Sequence, residues 1–480
     1  MDAKVPFYQR DMKIVRVAQV KAKDSRGDIF LVPAIVAVSG AILHRALGQS
    51  ASWLRYERRA NKDVPIDPPS PVVLQIMDMA GEWPFPPLQG IIQCPTLRRD
   101  GSLLDTQGYD EATGLVLVNS LALPPISAEP SRGEAKAALA LLIDLLAEFP
   151  FVDETSRSVG LSMILTPVLR GAMEVPPMHL VTAPRPGSGK SYIADVASKI
   201  STGERCGVQA ASPNPEETEK RLIGAALTGH PIIALDNCRD ILQGDFLCQI
   251  TERPLLKLRA LGKSPPHLIP NAFSFFANGN NVSVANDMVR RTIRCALDAN
   301  CESPEQREFK SNPMAVIHAN RAKYVAACLT IARAYVSVGR PNPSTPLPSY
   351  EEWSAVVRDA LIWLDCPDPV ATMETLRSED PAGAERHAVF DAWKSAIGVG
   401  KDRATLTADV IEKAAHSSAL REALLAVAQQ RFGEGRIDPK ALGKWLSAQE
   451  KNIAAGGKLM VDRSNKARPR WYLELNGRPQ

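Results

Sequence analysis

The chain has 480 residues, 45% of them hydrophobic and 23% charged, with a formal net charge of +4. This is ordinary globular composition, enough for two to four domains with cores of their own. No run approaches the roughly 18 apolar residues of a membrane span, Met1–Pro6 lacks the apolar core of a secretory signal, and the eight scattered cysteines form no C-x-x-C pair; neither a disulfide framework nor a zinc site is supported, and a cytoplasmic protein with reduced thiols is expected.

The first 130 residues read as a β-rich module. Phe7–Val20 and Ile29–Val38 are β-prone, with Pro-rich punctuation at Pro65–Pro71 and Trp83–Leu88. Trp53–Arg59 mixes aromatics with cations, as either a nucleic-acid surface or a solvated helix face would. Thr96–Ser102 reads as a turn between strands and Leu121–Pro130 as a linker. The module offers no clustered carboxylates or metal ligands of the kind primase chemistry needs.

Helical periodicity takes over at Arg132–Phe149 and Arg157–Met173, and Pro176-Pro177 stops it. A buried strand follows at Met178–Thr182, and strands and helices alternate to about Asp298, as in a parallel α/β core. Asn312–Arg340 is helical and closes a domain spanning 131–340. Pro341–Pro348 opens a helical linker region, 341–400, and residues 401–480 form a last module. From Arg436 onward ten Lys and Arg stand against four Asp and Glu, a net of +6 that leaves −2 on the other 435 residues. A basic end on a near-neutral body points to an anionic partner, foremost nucleic acid.

The strongest chemical signal is Pro184-Arg185-Pro186-Gly187-Ser188-Gly189-Lys190-Ser191, between a strand and the helix beginning at Tyr192. A triphosphate needs backbone N–H groups at close range, which small residues permit. Pro186 through Tyr192 would cradle ATP, with Lys190 reaching the β/γ-phosphates and Ser191 holding Mg²⁺. Pro184 stands where the motif usually has its first glycine. Pro231–Asp236 is a buried strand ending in a carboxylate, in the Walker B arrangement that places Asp236 in the Mg²⁺ shell. Asn237 follows, where many such ATPases carry a second acid. An amide can orient a water but cannot take its proton at neutral pH, and spacing selects neither Asp240 nor Asp245 as a base. Ala272–Asn281 runs an apolar strand into amides suited to sensing a γ-phosphate, Asn280 first and Asn278 second. In Asn286–Arg294, Arg291, then Arg290, is the candidate for an arginine finger supplied to a neighbouring subunit.

Near the C-terminus, Asp438–Lys451 is an amphipathic helix with Leu442, Trp445 and Leu446 inward and Lys440 and Lys444 outward. Strands at Lys458–Val461 and Arg470–Leu475 bracket a basic wing with Arg463, Lys466 and Arg468. This reads as a winged helix, able to set a helix in a groove while the wing touches phosphates.

The order of phosphate loop, Asp-ended strand, Asn-ended strand and arginine pair resembles the superfamily 3 helicases within AAA+. More narrowly it resembles primase-associated helicase proteins of bacterial prophages and integrated mobile elements. Ala183–Ser191, Ile232–Asn237, Phe275–Asn281 and Asp287–Ala299 carry the likeness, with support from Thr96–Leu117. The resemblance implies an α/β AAA+ P-loop core flanked by the β-rich and winged-helix modules. It implies a homo-hexameric ring hydrolysing ATP with Mg²⁺ between subunits, single-stranded and forked DNA as partners, and a primase or host replication proteins nearby. Superfamily 3 members also carry a channel hairpin ahead of the sensor strand. The matching stretch is Leu256–Ile269, whose Arg259, Lys263 and His267 would track a DNA backbone. A nucleotide-gated replication initiator and an AAA+ remodeller of proteins remain alternatives to the helicase.

Overall fold

The computed structural model describes residues 6–23, 29–119, 121–239, 241–258, 266–430, 435–465 and 468–475. The chain divides into two compact units, one of Met1–Val282 with Arg291–Met373 and one of Ser283–Arg290 with Glu374–Gln480.

The larger unit is built on a five-stranded, wholly parallel sheet. Its order is Val208–Ala210, Ile232–Cys238, Ser274–Asn280, Met178–Ala183, Thr292–Ala296. Central strands of a parallel sheet are covered on both faces and so read as continuous apolar runs. Met178–Ala183 is buried at every position, and Ser274–Asn280 at all but the last. The flanking helices start where local chemistry says they should. Ser131 and Glu134 form a reciprocal capping box for Arg132–Leu145. Asp153 caps Glu154–Val168, and Asn312 with Pro313 opens Pro313–Ser337. These helices share one core with the sheet and with Lys190–Thr202. Glu154–Val168 is buried almost all round, which marks it as the central helix of that layer.

The first 130 residues contribute an antiparallel sheet of Tyr8–Arg10, Lys13–Lys23 and Ile29–Ala37, and a second small sheet of Gly90–Ile92, Gly108–Asp110 and Leu115–Leu117. They also hold two helices, Gly40–Ser50 and Ser70–Asp78, which a β-rich reading does not include. Ser39 accepts from Ile42 N to start the first, and Pro71 in the first turn favours the second. Trp53–Glu57 is a strand, paired with Lys62–Ile66, rather than a solvated helix face. Thr96–Leu97 and Leu103–Leu104 pair across the expected turn.

The smaller unit carries helices Pro381–Ala396, Thr407–Ala414, Ser418–Ala428 and Pro439–Ala448, with an antiparallel sheet of Ile453–Ala454, Gly457–Asp462 and Arg470–Leu475. Trp393, Leu424, Leu442, Leu459 and Trp471 lie in its own core. Among the described residues no helix is long and apolar enough to cross a membrane.

Candidate active site

The chain leaves Met178–Ala183 toward one edge of the sheet and leaves Ser274–Asn280 toward the other. The carboxyl ends of these neighbouring strands therefore flank a topological switch point, where open α/β sheets hold ligands. Ala183 pairs with Asn280 across it, and the N–H of Asn281 donates to the Ala183 carbonyl at 3.3 Å.

The loop leaving Ala183 is glycine-dependent. Gly187 and Gly189 have φ of 75° and 93°, in the left-handed region. A Cβ on Gly187 would also stand 3.0 Å from the backbone nitrogen of Glu305. Ser188 Oγ and Lys190 Nζ both donate to the Arg185 carbonyl, at 2.9 and 3.1 Å, closing the loop on itself. Lys190 opens the helix Lys190–Thr202, so the first N–H groups and the positive dipole end face the loop. Burial lowers the pKa of the Lys190 ammonium, with the Asp236 carboxylate opposing the shift.

Ser191 Oγ donates to Asp236 Oδ1 at 3.1 Å. The two oxygens on which a Mg²⁺ shell was expected to rest are thus neighbours. Oxygens on adjacent corners of a Mg²⁺ octahedron lie about 2.9 Å apart, given Mg–O distances of about 2.0–2.1 Å. The spacing of the pair fits one edge of such a shell. Among the described residues no cluster of three or more His, Cys, Asp or Glu could hold a metal alone.

The amides divide their work. Asn237 sits at a bulge in its strand with φ of 58°, a left-handed position that Asn tolerates better than most residues. Its N–H donates to Asn278 Oδ1 at 3.3 Å, so the buried Asn278 braces the end of the Asp236 strand. Gly279 allows this close approach, because a Cβ there would lie 2.1 Å from the Cys238 carbonyl oxygen. Asn280 differs: its Oδ1 is buried without a hydrogen-bond partner. Its strand lies between the phosphate-loop strand and the Asp236 strand. A buried amide oxygen without a donor at that point is available to the O–H of a water. Asp240 lies outside the described residues, and Asp245 begins the helix Asp245–Glu252.

The two arginines sit in different surroundings. Arg291 is 3% exposed, and its guanidinium grips Glu252 through Nη2 and through Nε at 2.9 Å. Glu252 also accepts from Ser349 Oγ at 2.7 Å. Arg290 is exposed and pairs with Asp287 at 2.6 Å, a surface contact that costs little to break.

A cavity of about 660 Å³ opens from Gly187–Gly189. Phe149, Tyr192, Arg307 and Phe309 line it. The rings of Phe149 and Tyr192 stack at 6.0 Å, and the Arg307 guanidinium lies over Phe309 at 5.2 Å. Tyr192 Oη donates to Asn312 Oδ1 at 3.0 Å. An aromatic chamber at the mouth of a phosphate loop suits a planar base. Sequence reading reaches only Tyr192 here, since the other walls come from segments far apart in the chain.

The residues ahead of the sensor strand do form a hairpin, Leu255–Leu258 with His267–Pro270. Arg259 and Lys263 lie outside the described residues. His267 pairs in register with the buried Leu258, so strand alternation puts it on the inner face. There its Nδ1 is 2.7 Å from Asp11 Oδ2. In the smaller unit Lys440 and Lys444 are exposed on the helix Pro439–Ala448, whose Leu442 and Leu446 are buried. Arg468 is exposed, Arg463 is held in a two-pronged pair by Glu450, and Lys466 lies outside the described residues.

No protein-family model matches the chain, and no curated protein does. Solved structures are similar to it, two of them as follows. The A form apo structure of the NrS-1 C terminal region is 14% identical, covering 90% of this chain and 99% of that one at a TM-score of 0.34. The A form apo structure of that region designated 305–718 is 13% identical, covering 91% and 99% at a TM-score of 0.34. A likeness this loose fixes neither fold nor function.

Proposed function

We propose that the chain is an ATP-driven DNA motor, a helicase of the superfamily 3 AAA+ kind that serves replication of a mobile genetic element. The observation that carries the proposal is the convergence of Lys190, Ser191, Asp236 and Asn280 at one switch point. Backbone N–H groups of Gly187–Lys190 and the Lys190 ammonium bind the phosphates. Ser191 and Asp236 hold Mg²⁺, which supplies charge neutralisation on the β- and γ-phosphates. Asn280 contacts the γ-phosphate or its attacking water, and the base lies in the chamber of Phe149, Tyr192 and Phe309. Arg290, rather than Arg291, is the cation offered to a neighbouring subunit in a ring. The hairpin Leu255–Pro270 contacts the strand in the channel, and the smaller unit binds duplex as a winged helix through Lys440, Lys444 and Arg468.

The experiment is ATP hydrolysis with Mg²⁺, with and without single-stranded DNA, and with Lys190→Ala as control. Stimulation by DNA in the wild type and none in the variant supports the motor. Hydrolysis indifferent to DNA contradicts it. Asn237 favours a second reading, because a site without an acid at that position hydrolyses slowly and suits a nucleotide-gated initiator. That reading predicts tight ATP binding and ATP-dependent assembly on DNA with negligible turnover.

A further inference from the structure

One wall of the base chamber comes from the segment 304–313, and the chain holds that segment in place. The Glu148 carboxylate accepts the N–H of Lys310 at 2.8 Å, and the N–H and hydroxyl of Ser311 at 2.9 and 3.1 Å. The Glu148 carbonyl accepts from Arg307 Nη2 at 2.9 Å. Asn312, which takes the Tyr192 hydroxyl, also caps the helix Pro313–Ser337 by accepting the N–H of Ala315 at 3.3 Å. The wall is tied at its middle and at its end, so it presents its side chains from a fixed backbone.

Glu305 stands where this wall meets the phosphate loop. It lies in a short turn of helix, Pro304–Gln306, and its Oε2 and backbone nitrogen both lie 3.0 Å from the place a Gly187 Cβ would fill. Arg185, from the same loop, reaches the Glu302 carbonyl at 3.2 Å. Glu148 is occupied in holding the wall. Glu305 is exposed, and among the described residues its carboxylate has no hydrogen-bond or ion-pair partner. A free carboxylate beside a phosphate loop opposes a triphosphate, because like charges repel. It favours a nucleotide only by accepting a hydrogen bond from it, since an ionised carboxylate has no proton to give.

A nucleotide offers such donors in two places, the ribose hydroxyls and the amino group of its base. The order phosphate, sugar, base decides between them. A carboxylate against the phosphate loop is next to the phosphates, and the first group beyond them is the sugar. The base lies further on, among Phe149, Tyr192 and Phe309. We infer that Glu305 accepts hydrogen bonds from the ribose hydroxyls, the vicinal 2′ and 3′ pair matching its two oxygens, so that the site selects ribonucleoside over deoxyribonucleoside triphosphates. The inference deepens the nucleotide-site reading above and rests on it. An acidic side chain meets the ribose of dinucleotides by the same chemistry. For a motor that serves replication, the contact keeps turnover off the deoxynucleotides from which new DNA is made.

The test is equilibrium dialysis of the full chain with Mg²⁺ and labelled ATP or 2′-deoxy-ATP, with Lys190→Ala as the control that holds neither. The wild type is expected to bind ATP about tenfold or more tighter than 2′-deoxy-ATP. Glu305→Ala is expected to bring the two dissociation constants within about twofold of each other. Glu305→Gln keeps an acceptor oxygen and is expected to retain part of the preference. Equal affinities in the wild type overturn the inference. A preference that survives Glu305→Ala overturns it as well, and tighter binding of both nucleotides at an unchanged ratio identifies a carboxylate that only repels phosphate. Binding of neither nucleotide by the wild type sinks the nucleotide site and the inference with it. The expected preference in a chain whose hydrolysis ignores DNA leaves the ribose contact standing and removes the motor.

Discussion

Replacing Arg291 by Ala distinguishes a buried strut from a catalytic finger. The Arg291 and Glu252 side chains are 4% and 17% exposed, and two guanidinium nitrogens engage one carboxylate. Removing one partner of a buried pair costs about 3–5 kcal/mol, because the other charge is left in a poorly solvated place. For a unit this large that is a fall in melting temperature of roughly 4–7 °C. The double variant Arg291→Met with Glu252→Gln removes both charges and is expected to recover most of the loss. Arg290→Ala removes the exposed pair with Asp287, a contact that contributes about 0.5 kcal/mol or less. Its effect falls on turnover instead, where an arginine finger contributes roughly 10³-fold or more. The assay is scanning calorimetry beside steady-state hydrolysis, with Arg290→Ala and Lys190→Ala subunits mixed to look for complementation across an interface. If Arg291→Ala melts like the wild type yet cannot hydrolyse ATP, the assignment of Arg291 to a structural pair is refuted. If Arg290→Ala turns over normally, the in-trans role belongs elsewhere.

Gly279→Ala drives a Cβ to 2.1 Å from the Cys238 carbonyl and 2.3 Å from Val282 Cγ2. A loss of stability of about 4 kcal/mol or more is expected, read by denaturant midpoint, and wild-type stability would show that the strands separate freely. Phe149→Ala opens the base chamber and is expected to raise the KM for ATP about tenfold, with kcat little changed; an unchanged KM places the base elsewhere. His179 is fully buried, and desolvation pulls its pKa from 6.5 down to about 3. The unfolded chain therefore binds a proton that the folded one refuses, so stability falls as pH drops from 6.5 toward 3, by about 1.4 kcal/mol per unit. His179→Gln is expected to remove that component of the pH dependence, and an identical slope would show that His179 is not held neutral.

The sequence makes the local features of the site readable because they are dictated by local chemistry. Gly187 and Gly189 are required by backbone conformation, Asp236 ends an apolar run, and Asn280 ends the next. The helix starts at Ser131, Asp153 and Asn312 are likewise readable, since a cap needs only its own first turn. What pattern cannot supply is the partner across space. Arg291 looks the same in the sequence whether it meets Glu252, 39 positions earlier, or a neighbouring subunit. His267 sits in a basic stretch, but strand alternation turns it toward Asp11, 256 residues away. Phe149 and Phe309 reach the phosphate loop from separate segments, so the base chamber has no contiguous signature. Asn237 reads as a missing acid until its left-handed backbone is seen, a position that favours Asn over bulkier residues.

The central claim is that hydrolysis at Lys190, Ser191 and Asp236 is coupled to separation of DNA strands. Strand displacement from a labelled forked duplex, with Mg²⁺ and ATP, tests it most directly. The account predicts ATP-dependent displacement by the wild-type chain and none by Lys190→Ala or Asp236→Ala. Hydrolysis without displacement on forks of either polarity would contradict it.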